Sequence, residues 1–175
     1  MQSRATDFFV KSTALFLAIF WSGQVLAVQE KICDNERAIF QCEVRGGKNL
    51  ALCPNYVDGE LTGIQYRFGR EENKELVFPL SGFDFKKFRS NHFVRYQVDY
   101  KRVKFLNGSY LYSIYSNYDG ANIGEVSRDA GIIISNSSEA PEIQISCAHI
   151  YIDNLKELIP YIACDANDAL GCMPK

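Results

Sequence analysis

The six cysteines are the residues of this chain whose chemistry can be inferred most directly from their number and position. They are Cys33, Cys42, Cys53, Cys147, Cys164 and Cys172. Zinc sites use cysteines in CxxC-like pairs, which the chain lacks, and a lone histidine such as His92 or His149 is more often structural than a ligand. An even set of cysteines without metal spacing predicts disulfides, with no metal and no cofactor.

The pairing of these cysteines stays open at the level of sequence. Proximity along the chain favours Cys42 with Cys53, on opposite sides of a hairpin whose loop is residues 46–49. It then favours Cys147 with Cys164, which bracket the last strand and a helix. Cys33 and Cys172 would remain, and their bond would join the two ends of the domain.

Motifs of hydrolytic catalysis are missing from the sequence. There is no GxSxG and no HExxH, and disulfide formation would consume any thiolate nucleophile. Carboxylates are numerous, but no local pattern marks a catalytic pair among them. We therefore expect a protein that is not an enzyme, with scattered carboxylates such as Asp84 and Asp99 kept as the alternative.

The first residues have the pattern of a secretory signal peptide, residues 1–27. Arg4 and Lys11 precede or flank an apolar run at 13–21, and the sequence Val25-Leu26-Ala27 suits a signal peptidase. The apolar run is too short for a permanent membrane helix, so no integral membrane segment is expected after cleavage. We predict a periplasmic or secreted protein whose mature part, 28–175, is a single β-rich domain.

Charge is unevenly distributed along a chain whose formal net charge is −2. Between residues 86 and 104 the basic side chains are Lys86, Lys87, Arg89, Arg95, Lys101, Arg102 and Lys104. Residues 139–168 are mainly acidic, with Asp153, Asp165 and Asp168 among them. These segments are interpreted as solvated faces that attract each other, or else as a basic patch for an anionic glycan or lipid. No nucleic-acid partner is expected.

Period-two alternation dominates the pattern and predicts an all-β fold. About eight short strands suggest an antiparallel sandwich or flattened barrel. A short C-terminal helix, capped by Asp153, would follow the last strand. One continuous strand is expected through residues 94–100, with a bulge near 100–102 where the apolar parity flips.

The dipeptide Asn107-Gly108 predicts a type I′ hairpin turn. A turn there pairs Phe105 with Tyr110 and Val103 with Tyr112 on one face. Tyr115 falls on the opposite face and is the tyrosine expected to contact a partner.

The string Ser81-Gly82-Phe83-Asp84-Phe85 follows a proline in a predicted exposed loop. It resembles the Ser-Gly-x-x-Tyr loop of bacterial periplasmic lysozyme inhibitors, small exported disulfide-containing β proteins whose loop enters the lysozyme cleft. The resemblance implies hydrogen-bonding roles for Ser81 and Gly82 and an aromatic role for Phe85, which departs from the pattern by lacking the hydroxyl. The alternative is that Phe83 or Phe85 packs under the loop.

A broader resemblance covers most of the mature chain. The strings Tyr66-Arg67-Phe68-Gly69, Leu76-Val77-Phe78-Pro79 and Phe93-Val94-Arg95-Tyr96 look like those of uncharacterised secreted bacterial β-rich proteins. Taken together, these features predict a non-catalytic binding protein with a protein partner, such as an inhibitor or immunity factor against a cell-wall hydrolase. The expected contact residues are Ser81, Gly82, Phe85 and Tyr115, and the oligomeric state stays open.

Overall fold

The computed structural model describes residues 32–34, 37–122, 124–136 and 141–172, so the predicted signal peptide, 1–27, lies outside the described residues. Nine strands account for most of the described chain. They are β1 (Phe40–Val44), β2 (Lys48–Val57), β3 (Glu60–Gly69), β4 (Lys74–Phe78), β5 (Phe88–Arg95), β6 (Val98–Asn107), β7 (Tyr110–Asn122), β8 (Glu125–Asn136) and β9 (Ile143–Asp153). Two 3₁₀ turns, Phe85–Lys87 and Leu155–Leu158, complete the set.

All nine strands belong to one antiparallel sheet in the order β4-β3-β2-β1-β9-β8-β7-β6-β5. The sheet curls into a half-barrel, which confirms the all-β prediction and its antiparallel architecture. The expected short C-terminal helix is only the four-residue 3₁₀ turn that follows Asn154. Asn154 and not Asp153 precedes that turn, and its side chain makes no capping hydrogen bond.

Strand β9 joins the two halves of the sheet. Its first residues, from Ile143 to Ser146, pair with β8, whereas its later residues, from Cys147 to Asp153, pair with β1. The pairing of β9 with β1 contains two register shifts, which add local twist to a strand. The sheet therefore bends along β9, and its two end strands, β4 and β5, curve toward each other.

An aromatic cluster fills the concave side where those ends meet. The ring of Phe105 on β6 stacks on Phe78 of β4 with centroids 4.4 Å apart and on Tyr112 of β7 at 4.9 Å. Tyr66 of β3 also approaches Phe105, at 4.9 Å. Rings from opposite ends of the sheet thus share one core, and the burial of large aromatic surfaces stabilises the curl.

All six cysteines form disulfides, as predicted, but all three predicted pairings are wrong. The bonds are Cys33–Cys53, Cys42–Cys147 and Cys164–Cys172. The β1–β2 turn is tight and pairs Val44 with Lys48, which places Cys42 opposite Leu50 and not opposite Cys53. Because β9 lies on the other side of β1, it brings Cys147 to Cys42.

A hairpin replaces the bulge that was expected near residues 100–102. Arg95 pairs with Val98, so Tyr96 and Gln97 form a two-residue turn between β5 and β6. Gln97 has a φ of +58°, which non-glycine residues adopt mainly in turns. This additional turn divides the predicted continuous strand in two.

The β6–β7 hairpin is confirmed, but the predicted partners are wrong. Phe105 pairs with Tyr112 and Asn107 with Tyr110, so the turn residues are Gly108 and Ser109. Gly108 has a φ of +61°, as the first central residue of a type II′ turn requires. The shift of the partner by two positions preserves the face of every side chain, which is why the alternation alone could not detect it.

Candidate functional site

The loop of residues 79–84 crosses from β4 to β5, the two ends of the curled sheet. Leu80 is 88% exposed, more than any other large apolar side chain of the described residues. Ser81 and Gly82 follow it and are also exposed, and Gly82 has a φ of +70°. The loop thus presents an apolar side chain beside polar backbone on the protein surface.

One buried side chain holds both ends of this loop. The Gln65 amide Nε2 donates to the carbonyl of Pro79 at 3.0 Å and to the carbonyl of Gly82 at 3.1 Å. Gln65 is only 6% exposed, so these hydrogen bonds form away from bulk water. A single amide that closes the segment from Pro79 to Gly82 restricts the backbone that carries Leu80.

Arg67 in turn fixes Gln65. Its Nε donates to Oε1 of Gln65 at 2.8 Å, and its Nη1 donates to the carbonyl of Ile32 at 2.9 Å and to Asp34 at 2.6 Å. The hydrogen bond from Arg67 lowers the pKa of the Asp34 carboxyl, against the opposing effect of burial. The 79–84 loop and residues 32–34 thus cover the face of β3 that carries the side chains of Gln65 and Arg67.

A close backbone contact presses the loop onto β3. A Cβ on Gly63 would lie 2.8 Å from the carbonyl carbon of Phe83, so only glycine permits this approach. The amide of Asp84 donates to the carbonyl of Ile64 at 3.2 Å. The Phe83 ring packs against a second buried cluster that contains the Cys33–Cys53 disulfide.

After the loop, the chain forms the 3₁₀ turn Phe85–Lys87. The Asp84 carboxylate accepts the amide of Lys86 at 2.8 Å and so caps this turn. Phe85 is half-buried and stacks on Tyr161 with ring centroids 5.3 Å apart. Phe83 therefore packs against the Cys33–Cys53 cluster and Phe85 against the main core, and the exposed surface belongs to Leu80, Ser81 and Gly82.

Leu80 is the residue of this site that the sequence analysis missed. The only available signal was a large apolar side chain placed between Pro79 and the turn residues Ser81 and Gly82. Such a residue is ordinarily assigned to a strand end or to the core. Its exposure depends on the fixed path of the loop, which only the tertiary structure reveals.

Tyr115 requires a correction, because its side chain is only 2% exposed and cannot be reached by a partner. It lies on the face opposite to the aromatic core, as expected, but its cross-strand neighbour is Gly131, which leaves room for the ring. The Tyr115 hydroxyl would lie 2.9 Å from a Cβ on Gly131, and it accepts Nε2 of Gln144 at 2.9 Å. Packing over a glycine thus buries the tyrosine within the sheet's outer face.

A groove of about 740 Å³ lies beside the Phe85–Tyr161 stack. Tyr161 is 52% exposed at its edge, and Leu61 lies within it. The carboxylates of Glu60 and Glu157 also line this groove. The 3₁₀ turn that follows the 79–84 loop thus reaches the edge of this groove through the contact of Phe85 with Tyr161.

Three of the basic side chains in segment 86–104 are neutralised by acidic residues. Lys104 contacts both Asp165 and Asp168, the latter at 2.8 Å, and Arg102 lies 3.4 Å from Asp168. Lys101 lies 3.3 Å from Asp99 within the basic segment and 4.0 Å from Asp153 of the acidic segment. This arrangement agrees with the interpretation that the basic and the acidic segments attract each other.

The carboxylates that were named for possible catalysis serve separate structural contacts. Asp84 caps the 3₁₀ turn, whereas Asp99 binds His92 Nε2 at 2.8 Å and the ammonium of Lys101. Burial raises the pKa of Asp99, but the hydrogen bond from His92 and the charge of Lys101 outweigh it and lower the pKa overall.

Ser116 Oγ donates to Asp153 at 2.6 Å, whereas His92 Nε2 binds Asp99 at 2.8 Å. Among the described residues, no contact joins Ser116 or Asp153 directly to His92. Within the described part of the chain, no group of three or more His, Cys, Asp or Glu residues is placed to hold a metal ion. Among the same residues, no helix has the length and apolar character needed to cross a bilayer.

Comparison with protein-family models, with curated proteins and with solved structures finds no match. The resemblance of residues 81–85 to the loop of lysozyme inhibitors therefore stays a prediction.

Proposed function

We propose that this protein is an exported, non-catalytic binding protein that docks onto another protein through its 79–84 loop. The observation that carries the proposal is the 88% exposure of Leu80 on a loop whose backbone is fixed by Gln65. When a partner covers an apolar side chain that is exposed to water, the free energy of the complex becomes more favourable. A loop that is already ordered loses little conformational entropy on binding.

A protein partner fits this surface better than a small ligand does. Leu80 projects from a convex loop and not into a cavity, and small-molecule sites are concave. Tyr161 and Leu61 extend the apolar surface into the neighbouring groove. Aromatic and apolar anchors surrounded by polar groups are typical of protein interfaces.

The more specific form of the proposal is an inhibitor or immunity factor against a cell-wall hydrolase. Its supports are the predicted signal peptide, the loop resemblance at Ser81 and Gly82, and a scaffold with three disulfides, which suits an oxidising compartment. In this form the loop would occupy the cleft of the hydrolase. Leu80 would be the apolar anchor, and Ser81 and Gly82 would supply hydrogen bonds.

The test compares Leu80→Ala and Ser81→Ala with the unchanged protein in affinity capture from a cell-envelope extract and in inhibition of purified lysozymes. We expect Leu80→Ala to weaken capture or inhibition by tenfold or more, since interface anchors cost about 2 kcal/mol or more on truncation. Val126→Ala is the matched control, because Val126 is 69% exposed on β8 and lies away from the loop.

Melting temperatures of all three variants should stay close to that of the unchanged protein. Equal capture by the unchanged protein and Leu80→Ala would exclude the loop as the contact. Capture that depends on Leu80 without inhibition of any lysozyme would retain the docking function and exclude lysozymes as the inhibited hydrolase.

A further inference from the structure

A second surface feature, the cationic cleft, lies at the corner where β5, β6 and β7 meet the 3₁₀ turn Phe85–Lys87. Its lining consists of the basic residues Lys86, Lys87, Arg89 and Lys104, the carboxylate Asp165, and the apolar residues Phe78, Phe105, Leu106 and Leu111. Its volume of about 340 Å³ is at the lower end of the range for small-molecule sites, roughly 300–1,000 Å³.

The cleft carries uncompensated positive charge. Lys104 is paired with Asp165 and Asp168, so its charge is satisfied within the protein. Lys86, Lys87 and Arg89 take part in none of the ion pairs found among the described residues. Their positive charges therefore remain available to an anion from outside.

The cleft also has an exposed apolar wall. Leu106 and Leu111 are cross-strand partners at the end of the β6–β7 hairpin and are 61% and 37% exposed. Two residues before Leu106, on the same face of β6, Lys104 lies between its cross-strand partners Arg89 of β5 and Ser113 of β7. The pleat of the sheet thus places the apolar pair beside Lys104 and Arg89 on one face.

We infer that the cationic cleft binds one molecule of an anionic amphiphile, with a carboxylate or phosphate head and an alkyl chain. The head group would accept hydrogen bonds from Lys86 and Lys87, which are exposed and have no carboxylate partner. The chain would lie against Leu106 and Leu111 and remove their surface from water. A purely polar polyanion would leave this apolar wall uncovered, so the cleft favours an amphiphile over a glycan.

Calorimetric titration of the full chain tests the inference with decanoate below its micelle concentration. Decyl glucoside, which keeps the chain without the charge, and acetate, which keeps the charge without the chain, are the two comparison ligands. We expect saturable binding of decanoate alone. The double variant Lys86→Gln/Lys87→Gln and the single variant Leu111→Asn should each weaken it by about tenfold, as loss of a charged hydrogen bond or of an apolar contact would do.

Matched controls separate the cleft from the rest of the surface. Lys156→Gln removes an exposed cation from the other 3₁₀ turn and should leave decanoate affinity unchanged, and so should Leu80→Ala in the 79–84 loop. Melting temperatures of all variants establish that each is folded.

Three outcomes would overturn the inference. The first is no saturable binding of decanoate by the unchanged protein, and the second is binding that the cleft variants do not weaken. The third is cosedimentation with phosphatidylglycerol vesicles without binding of monomeric decanoate, which would make the surface a membrane contact instead.

Discussion

At the scale of single residues, Gln65 links the hidden side of the sheet to the exposed loop. Its amide nitrogen serves Pro79 and Gly82, and its amide oxygen serves Arg67, so all of its polar atoms are used within the protein. Buried polar groups that are fully hydrogen-bonded specify one conformation. The presentation of Leu80 therefore depends on a residue that contacts no partner itself.

Replacement of Gln65 by leucine tests this role, because leucine has similar bulk but no hydrogen-bonding atoms. The carbonyls of Pro79 and Gly82 would lose their donor, and Arg67 Nε would lose its acceptor. We expect a loss of about 1–3 kcal/mol in urea unfolding and faster proteolysis within the loop. Partner capture should weaken even though Leu80 and Ser81 are unchanged.

Gln144→Leu is the control for this variant, since it removes the hydrogen bond to the Tyr115 hydroxyl on a different part of the sheet. It should lower stability without accelerating proteolysis of residues 79–84. An equal increase of loop proteolysis in both variants would mean that Gln65 acts through global stability alone.

At the scale of strands and turns, the sequence pattern identified the elements better than it identified their partners. Alternation indicated the fold class and the β6–β7 hairpin, because each depends on side-chain faces that repeat every second residue. The turn at Tyr96 and Gln97 was missed because it contains neither Gly, Pro, Asn nor Asp. Its apolar alternation continues through the turn and resembles one strand.

The disulfide pairing could not be predicted, because it depends on which strands become neighbours in the sheet. Cys42 and Cys147 are 105 residues apart and meet only because β9 returns to β1. Among the candidate site residues, the exposure of Ser81 and Gly82 was predictable, because they follow a proline in a segment with turn residues. Leu80 and Tyr115 were not, since their exposure depends on the Gln65 hydrogen bonds and on the space above Gly131.

The position of the β6–β7 turn can be tested by substitution on either side of it. Gly108→Val should destabilise the protein by more than about 1 kcal/mol, because a β-branched residue resists a φ of +61°. Asn107→Thr should be nearly neutral, because Asn107 is the last residue of β6 and threonine suits a strand. Chemical denaturation of both variants measures the difference. A large loss from Asn107→Thr would instead support a turn centred on Asn107 and Gly108.

At the scale of the whole molecule, the sheet's two end strands are consecutive in the chain, so residues 79–87 must cross the gap between them. The C-terminal segment covers the free edge of β5. There the Ser90 amide donates to the carbonyl of Ala163 at 3.0 Å, and the Ser90 carbonyl accepts the amide of Asp165 at 3.1 Å. This contact continues the hydrogen bonding past the end strand and protects its edge. The Cys164–Cys172 disulfide closes the covering segment on itself.

Two carboxylates connect this covering segment to the body of the sheet, and they should make the stability of the protein fall in acid. The hydrogen bond from Lys104 lowers the pKa of Asp165, and burial of Asp168 is outweighed by Lys104 and by the amide of Leu170, so its pKa is lowered as well. A carboxyl whose pKa is lower in the folded state stabilises the protein above its unfolded pKa, near 4. That stabilisation is lost as the pH falls through the folded-state pKa.

We therefore expect the free energy of unfolding to be steady near neutral pH and to decrease steeply below about pH 4. Asp168→Asn should cost about 1–3 kcal/mol at pH 7, since Lys104 is buried and would retain only Asp165 as a charged partner. The same variant should reduce the slope of stability against pH in the acid range, because one carboxyl no longer takes up a proton on unfolding. Glu72→Gln, in the exposed β3–β4 turn, is the control and should leave both quantities unchanged. An Asp168→Asn protein with the acid slope of the unchanged chain would show that the acid sensitivity arises elsewhere in the molecule.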